Sequence, residues 1–205
     1  MIGVVDYGGG NLASVGHALD RLQARWQLVR SGPEVEGVDS LIFPGVGAAR
    51  PAMEGLRNQR LDTAIRAFVQ TGRPYLGICL GHQLLFRGSA EDGTTCLGIL
   101  PGEVVRLQTG EKVPHVGWNT VDLVRPIPLF DGVAEEAFYF THSYVAETGA
   151  EVVAARTTHG VPFVSAIARD LVFGVQFHPE RSGAAGLRLL TNFVDIGANA
   201  GANAV

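Results

Sequence analysis

The 205-residue sequence predicts an α/β fold with a single doubly wound, mostly parallel sheet flanked by helices and an additional antiparallel portion in the second half. In the first half, apolar strand-like runs alternate with amphipathic helical patterns, which is typical of parallel strands joined by right-handed crossovers. In the second half, short strand patterns are joined by turns, which favours antiparallel pairing. The sequence contains no linker, charge run or internal repeat, so we expect one domain over residues 1–205.

The elements of the first half follow from apolar runs and helical stripes. Strands are predicted at residues 2–6, 41–43 and 74–78. Asn11 is placed to cap a first helix, whose apolar stripe comprises Leu12, Val15, Leu19, Leu22 and Trp26. A second helix ends at Gly72 and is marked by Leu61, Ile65, Phe68 and Val69.

The second half is predicted to be mainly strands followed by one helix. The last helix is expected from near Ser182 to Phe193. The small-residue sequence GANAGANAV that follows, at about residues 197–205, is expected to form a flexible tail. The strand patterns cover residues 102–107, 118–124, 137–141, 152–156, 161–168 and 171–177.

Composition and charge argue against several classes of function. The net charge of -4 gives no electrostatic reason to expect nucleic acid or an anionic membrane as a partner. No apolar run approaches the ~20 residues that span a bilayer, and the first residues, MIGVVDYG, lack the basic leader of a secretion signal. The two cysteines, Cys79 and Cys96, are too few for a disulfide framework and lack zinc-type spacing. We therefore expect a reducing cytoplasm, no metal and no cofactor.

The segment YLGICLGHQLL places Cys79 between two glycines, Gly77 and Gly81. The form G-x-C-x-G is the cysteine version of the strand-to-helix elbow that lifts a nucleophile above the end of a sheet. We expect close backbone packing at both glycines, and an exposed Cys79 whose thiolate is stabilised by a helix N-terminus. By itself, the motif also fits a small buried cysteine at an ordinary βα turn. Cys96, which lacks such a frame, is predicted to serve packing.

A second motif, His178-Pro179-Glu180, supplies a candidate base for the thiol. Proline favours extended geometry in the residue before it, and residues two apart in an extended chain point the same way. Glu180 is therefore predicted to reach the imidazole of His178 and to fix its tautomer. We expect no functional role for His17 or His159, and a supporting position for His82. A surface turn is the alternative for the His-Pro-Glu motif taken alone.

Two backbone N–H groups are candidates for an oxyanion hole. The N–H of Leu80, which follows the nucleophile, is the usual first donor in such an elbow. The PGVG loop at residues 44–47 follows a neighbouring strand and is predicted to present a second N–H, that of Val46. Each such donor is worth roughly 2.7–4 kcal/mol at the transition state. A simple glycine-rich connection is the alternative for this loop.

Taken together, GICLGHQLL and FHPE resemble the class I, triad-type glutamine amidotransferases, with Cys79, His178 and Glu180 as the triad. The resemblance covers nearly the whole chain. It implies that the side-chain amide of L-glutamine is cleaved through a cysteine thioester and that the ammonia passes to a synthase partner. The flanking motifs DYGGGNLASV, FPGVGA, PHVGWN and THSY are similar to those of the glutaminase subunits of imidazole glycerol phosphate synthase. This implies a heterodimer with a (β/α)₈ cyclase subunit, which makes imidazole glycerol phosphate and an aminoimidazole carboxamide ribotide in histidine biosynthesis.

The resemblance also implies a set of substrate-binding residues. Gln83 matches the glutamine-contacting residue of the family, and Glu91 matches an acidic residue near the substrate's α-amino group. Around Glu91 the sequence RGSAEDG departs from the common pattern SEE, and Arg181 stands where lysine is common. The remaining residues assigned to the substrate are Gly47, His142, Ser143 and Tyr144.

Other functions remain open on the sequence alone. Gly8-x-Gly10-x-x-Ala13 fits the dinucleotide fingerprint, although Arg30 stands where an acidic residue is expected and would suit at best a 2′-phosphate. With the elbow retained, the chain could serve anthranilate, GMP or carbamoyl phosphate synthase, or act as a γ-glutamyl hydrolase. A non-catalytic regulatory module is a further alternative.

Overall fold

The computed structural model describes residues 1–133 and 136–202 of the chain. Its helices are α1 (Leu12–Arg21), α2 (Gly32–Glu36), α3 (Ala49–Asn58), α4 (Leu61–Gln70), α5 (Leu80–Gln83) and α6 (Gly183–Ala202). Its strands are β1 (Ile2–Val5), β2 (Trp26–Val29), β3 (Ser40–Gly45), β4 (Tyr75–Cys79), β5 (Gly88–Ser89), β6 (Thr94–Thr95), β7 (Glu103–Arg106), β8 (His115–Thr120), β9 (Asp122–Leu123), β10 (Ala137–His142), β11 (Tyr144–Glu147), β12 (Val153–His159), β13 (Val161–Arg169) and β14 (Val172–Val175). None of the described helices is long and apolar enough to cross a membrane.

One large sheet combines a parallel and an antiparallel part. Strands β2, β1, β3, β4 and β14 pair in parallel, in that order. The sheet continues through β13, β11 and β7 by antiparallel pairing from β14 onwards, and β7 then pairs in parallel with β5. Strands β8 and β10 form a separate antiparallel pair. The predicted fold class is confirmed, and the carboxyl ends of β3, β4 and β14 meet at one edge.

The sheet is buried on both faces because its helices lie on two sides. Leu41 and Phe43 of β3 belong to one apolar cluster together with residues of α2, α3 and α4. Ile42, between them, belongs to a second cluster with residues of α1 and α6. Alternate residues of a strand point to opposite faces, so both clusters form from one continuous apolar run. These continuous apolar runs are the pattern from which the parallel strands were predicted.

Two features of the first half differ from the prediction. Helix α1 ends at Arg21, so Trp26 lies on β2 and is not part of the helical stripe. Its indole ring nevertheless packs against Gly16 of α1, where a Cβ would lie 2.7 Å from the ring. Helices α2 and α3 were not predicted, because α2 has only five residues and two of the four buried residues of α3 are alanines.

The last helix is longer than its pattern indicated. Helix α6 begins at Gly183 and continues to Ala202, beyond the predicted end at Phe193. Gly197 is buried and faces Ser40, where a Cβ would lie 2.9 Å from the Ser40 Oγ atom. The close contact at Gly197 packs this part of α6 against β3, and the segment predicted as a tail is helical as far as Ala202. The tail's last three residues lie outside the described part of the chain.

Candidate active site

The predicted elbow forms at the junction of β4 and α5. Cys79 has φ 52° and ψ −106°, a left-handed backbone that a residue with a side chain rarely adopts. A Cβ on Gly81 would lie 1.9 Å from the Phe43 carbonyl oxygen, and one on Gly77 would lie 2.5 Å from the Gly81 carbonyl oxygen. Both glycines are therefore required by close backbone contact, as the motif predicted.

The expectation that Cys79 is exposed is wrong, because only 7% of the residue is accessible. Chain segments from β10, β11 and the loop after β3 surround the elbow and enclose a cavity of about 320 Å³. This volume is at the lower end of the range of small-molecule sites, roughly 300–1,000 Å³. All the predicted site residues except Glu180 line the cavity: Val46, Gly47, Cys79, Leu80, Gln83, Glu91, His142, Ser143, Tyr144 and His178.

His178 and Glu180 form the predicted pair behind the thiol. The Nδ1 atom of His178 donates to Oε1 of Glu180 at 2.8 Å, and the two side chains are only 2% and 1% exposed. His178 is extended, as expected before proline, but Glu180 lies in a 3₁₀ turn, Pro179–Arg181. The contact was predicted correctly for the wrong reason, since a tight turn brings the carboxylate back to the ring.

The charge on His178 follows from its neighbours. Burial lowers the pKa of His178, but its interactions with Cys79 and Glu180 outweigh burial and raise the pKa from 6.5 to about 10. The ring is therefore an imidazolium at neutral pH, and its positive charge favours a negative sulfur beside it. Nε2 is buried and makes no hydrogen bond of ordinary geometry with a described residue. It is thus free to give its proton to a bound molecule.

Gln176, on the chain just after β14, is a site residue that the sequence analysis missed. Its Nε2 lies 3.6 Å from the Sγ of Cys79, and its Oε1 accepts from Gln83 Nε2 at 3.0 Å. The side chain is fully buried. A signal was present, because a glutamine inside the apolar run VFGVQF is a polar group that burial would leave in need of partners.

The two predicted oxyanion donors come from adjacent strands. Gly45 of β3 is in register with Cys79 of β4, so the loop that follows β3 lies beside the nucleophile. The carbonyl of Val46 accepts from the hydroxyl of Tyr7 at 3.3 Å. Leu80 begins α5 directly after the cysteine. The use of the Leu80 and Val46 N–H groups as an oxyanion hole stays a prediction.

Glu91 reaches the cavity from a 3₁₀ turn on the far side of the elbow. Its Oε2 accepts from the backbone N–H of Ala49, at the first residue of α3, at 2.9 Å. The carboxylate thus stabilises the helix N-terminus with one oxygen. Its role towards an α-amino group remains a prediction.

Two side chains near β1 have partners that the sequence did not indicate. Asn11 makes no side-chain cap at α1. Its Nδ2 instead donates to Glu180 Oε1 at 3.0 Å, so the predicted cap is wrong. Arg30, assigned to a 2′-phosphate in the dinucleotide alternative, donates from Nε to Asp6 Oδ2 at 2.7 Å.

A sheet that carries a cysteine nucleophile on an elbow, with a histidine and a carboxylate at the same edge, defines a triad site for acyl transfer. The family model of glutamine amidotransferase class-I matches residues 3–196. The chain therefore belongs to this family.

Within the family, several similar proteins share one name. The chain is 46% identical over 201 residues to the imidazole glycerol phosphate synthase subunit HisH of Methanothermobacter thermautotrophicus, covering 96% of this chain and 98% of that protein. It is 50% identical over 204 residues to the subunit of the same name from Geobacillus thermodenitrificans, covering 96% of each.

Solved structures agree on the fold. A crystal structure of a glutamine amidotransferase matches with a TM-score of 0.77 and 24% identity, covering 96% of this chain and 98% of that one. A chain of PurLQS from Thermotoga maritima also matches with a TM-score of 0.77, at 20% identity, covering 95% and 97%. At these identities the likeness concerns the fold alone.

Proposed function

We propose that the chain is the glutaminase subunit of an imidazole glycerol phosphate synthase, which hydrolyses L-glutamine to glutamate and ammonia. The observation that carries this proposal is the buried His178–Glu180 pair at the wall of the cavity that contains Cys79. The similarity to imidazole glycerol phosphate synthase subunits, at 46–50% identity, supports this particular synthase.

The first half of the reaction uses the protonated ring. The Cys79 sulfur attacks the side-chain amide carbon of glutamine, and the negative oxygen that results is met by the N–H groups of Leu80 and Val46. His178 gives its Nε2 proton to the departing nitrogen, so the C–N bond breaks and ammonia leaves. The product on the enzyme is a thioester with Cys79. Glu180 holds the Nδ1–H of the ring throughout, which fixes the tautomer and the ring's orientation.

The second half consumes water. The now neutral Nε2 of His178 takes a proton from a water molecule, whose oxygen attacks the thioester carbon. Collapse of the second tetrahedral intermediate breaks the C–S bond, releases glutamate and restores the thiolate–imidazolium pair. Gln83, Glu91, Gly47, His142, Ser143 and Tyr144 would hold the substrate's amino-acid end.

A cyclase subunit with a (β/α)₈ fold is proposed as the partner that receives the ammonia, in a cytoplasmic heterodimer. Val116 and Trp118 on β8 are 57% and 58% exposed, and Val46 in the loop beside Cys79 is 44% exposed. Val116 and Trp118 are two positions apart on β8 and so lie on one face, and apolar side chains exposed together in this way are typical of docking surfaces. The guanidinium of Arg181 lies over the Tyr139 ring, 4.3 Å from its centroid, and adds a cation near the triad.

The test is a glutaminase assay with and without the cyclase subunit and its nucleotide substrate. We expect slow hydrolysis by the isolated chain and strong stimulation by the partner, because glycines on both sides of Val46 leave its peptide free to reorient. Cys79→Ala should abolish hydrolysis, whereas Cys96→Ala should retain it. Burial raises the pKa of the Cys96 thiol to about 11, so this cysteine is not a nucleophile at neutral pH.

The outcomes separate the alternatives. Near wild-type hydrolysis by the Cys79→Ala variant would refute the assignment of the nucleophile. Full activity without any partner would favour a stand-alone hydrolase, and stimulation only by a different synthase would assign the chain to that enzyme.

A further inference from the structure

A cluster of three histidines lies behind the cavity wall on the side away from Cys79. His142 ends β10 and lines the cavity, and His115 begins β8 directly opposite it in the two-stranded pair. The two side chains are buried, with His115 Nδ1 3.1 Å from His142 Nε2. The ring of His159 stacks on that of His115 with centroids 4.2 Å apart. His159, for which no role was expected, therefore belongs to this cluster.

The hydrogen-bond partners determine where the protons sit. His142 Nδ1 lies 3.0 Å from the carbonyl oxygen of Tyr144, which only accepts, so Nδ1 carries a proton. In a neutral ring the Nε2 of His142 is then an acceptor, and His115 Nδ1–H must be its donor. The remaining nitrogen of His115, Nε2, accepts from Asn119 Nδ2 at 3.3 Å. All donors in this chain point in one direction, from Asn119 towards the cavity.

The orientation of the Asn119 amide is fixed independently. Its Nδ2 also donates to the carbonyl of Thr158 at 2.9 Å, and its Oδ1 accepts from the N–H of Thr120 at 2.9 Å. The Nε2 of His159 donates to the carbonyl of Lys112 at 2.9 Å, so this ring does not compete for His115. The direction of the chain is thus set at its outer end by backbone groups.

Both inner rings are neutral at physiological pH. Burial lowers the pKa of His142 from 6.5 to about 3, and burial together with His159 lowers that of His115 to about 4. A second proton on His142 would place two donors against each other across the 3.1 Å contact with His115, and a second proton on His115 would do the same across the 3.3 Å contact with Asn119. The hydrogen-bond geometry therefore favours the neutral form of both His115 and His142 and fixes the tautomer of each ring.

The inner end of the chain meets the residues around the thiol. The Tyr144 carbonyl accepts from His142 and also from Gln83 Nε2, at 3.0 Å. The same Gln83 nitrogen donates to Gln176, whose own Nε2 faces the Cys79 sulfur. With both hydrogens of its amide nitrogen used, Gln83 has its Oε1 left to accept a hydrogen bond from a molecule in the cavity.

We propose that His115, oriented by Asn119, is a positioning residue that holds the Tyr144 carbonyl through His142 and thereby fixes the Gln83 amide with its oxygen towards the substrate. This inference rests on the proposed glutaminase activity. The ligand group that the Gln83 oxygen recognises is an N–H donor of the amino acid, either its ammonium or its amide. The role of His115 is therefore in binding, and it does not touch the reacting atoms.

The test compares two substitutions at His115 in the complex with the cyclase. His115→Asn keeps an N–H near the position of Nδ1, whereas His115→Leu keeps bulk and removes the donor. Losing one partner of a buried hydrogen bond is typically worth roughly a tenfold change. We expect His115→Leu to raise the KM for glutamine about tenfold with a smaller change in kcat, and His115→Asn to stay within about threefold of wild type.

Two further measurements separate positioning from a general loss of structure. The rate at which iodoacetamide alkylates Cys79 should be unchanged in His115→Leu, because this reagent does not use Gln83. Asn119→Leu, at the partly exposed outer end, should raise KM in the same direction and serves if His115→Leu does not fold. Nitrogen NMR of the wild-type imidazoles should find protons on Nδ1 of both His115 and His142 between pH 6 and 8.

The proposal is overturned if folded His115→Leu and Asn119→Leu both keep the wild-type KM, or if Leu and Asn at position 115 behave alike. A charged ring or an Nε2–H tautomer at His115 would also overturn it. Failure of the proposed function looks different, since the wild-type complex would then release no ammonia from glutamine.

Discussion

Asn11 and Glu180, which lie 169 positions apart in the sequence, are joined by a hydrogen bond of 3.0 Å. The same carboxylate oxygen of Glu180 accepts from His178 Nδ1 at 2.8 Å. The loop after the first strand therefore holds the carboxylate that binds the His178 ring. The position of the Glu180 carboxylate therefore depends on residues near both ends of the chain, although the His-Pro-Glu motif occupies only three consecutive positions.

Removing the Asn11 amide should loosen this carboxylate. We expect Asn11→Ala to lower kcat/KM for glutamine roughly tenfold, since it removes a charge-assisted hydrogen bond from a buried group. Asn11→Asp should be worse, because it places a second carboxylate against Glu180. Steady-state kinetics on the complex measure both, with the exposed Asn58→Ala as a control that should leave the rates unchanged. Equal activity of Asn11→Ala and wild type would show that the contact has no role.

Neutralising the carboxylate itself should change the pH dependence. Glu180→Gln is expected to lower kcat by about 10²–10⁴-fold, as for removal of charge from other triads. The pKa of His178, raised to about 10 partly by Glu180, should also fall. The alkaline limb of the profile of kcat/KM against pH then moves to lower pH, because the imidazolium is lost earlier. An alkaline limb at the wild-type position would contradict this account of the His178 charge.

The elbow should tolerate no side chain at Gly81. The added Cβ of Gly81→Ala would overlap the Phe43 carbonyl oxygen, so β3 and α5 must separate. We expect both a loss of glutaminase activity and a fall of the unfolding free energy by about 2 kcal/mol or more. Gly110→Ala is the matched control, since no atom lies within 4 Å of its added Cβ. Urea denaturation and the glutaminase assay test both variants, and equal stability of the two would contradict the packing argument.

His82 should make the fold sensitive to acid. Burial lowers the pKa of His82 from 6.5 to about 3, and neither ring nitrogen has a partner among the described residues. Between these values the unfolded chain binds a proton that the folded protein does not, so stability falls as the pH is lowered below about 6.5. One proton corresponds to a slope of about 1.4 kcal/mol per pH unit.

The variant His82→Met removes this proton while keeping an apolar side chain of similar bulk in the core. The unfolding free energy from urea titrations at pH 4.5, 5.5 and 6.5 should therefore decline less steeply in the variant than in wild type. His115 and His142 remain in both proteins, and their lowered pKa values contribute acid sensitivity that the substitution leaves in place. Identical slopes would mean that His82 takes up its proton equally in the folded and unfolded states.

The predictions from sequence succeeded where the determining interactions are local. The G-x-C-x-G elbow and the parallel strands followed from glycine spacing and from apolar runs, and both were confirmed. The stripe that included Trp26 failed because apolar spacing does not show that the helix ends at Arg21, after which Trp26 packs on Gly16 from β2. Gln176 and His115 were missed because their partners are chosen by packing, which for Gln176 joins positions 97 apart.

By itself, the sequence predicted the elbow that carries Cys79 and the contact between His178 and Glu180, because turn geometry operates over a few neighbouring residues. Only the tertiary structure decided that Cys79 lies in a cavity, that Asn11 supports Glu180, and that His115 and His142 are neutral. The physical reason is that desolvation and hydrogen-bond satisfaction depend on every segment packed around a group. These segments come together only when the sheet is complete.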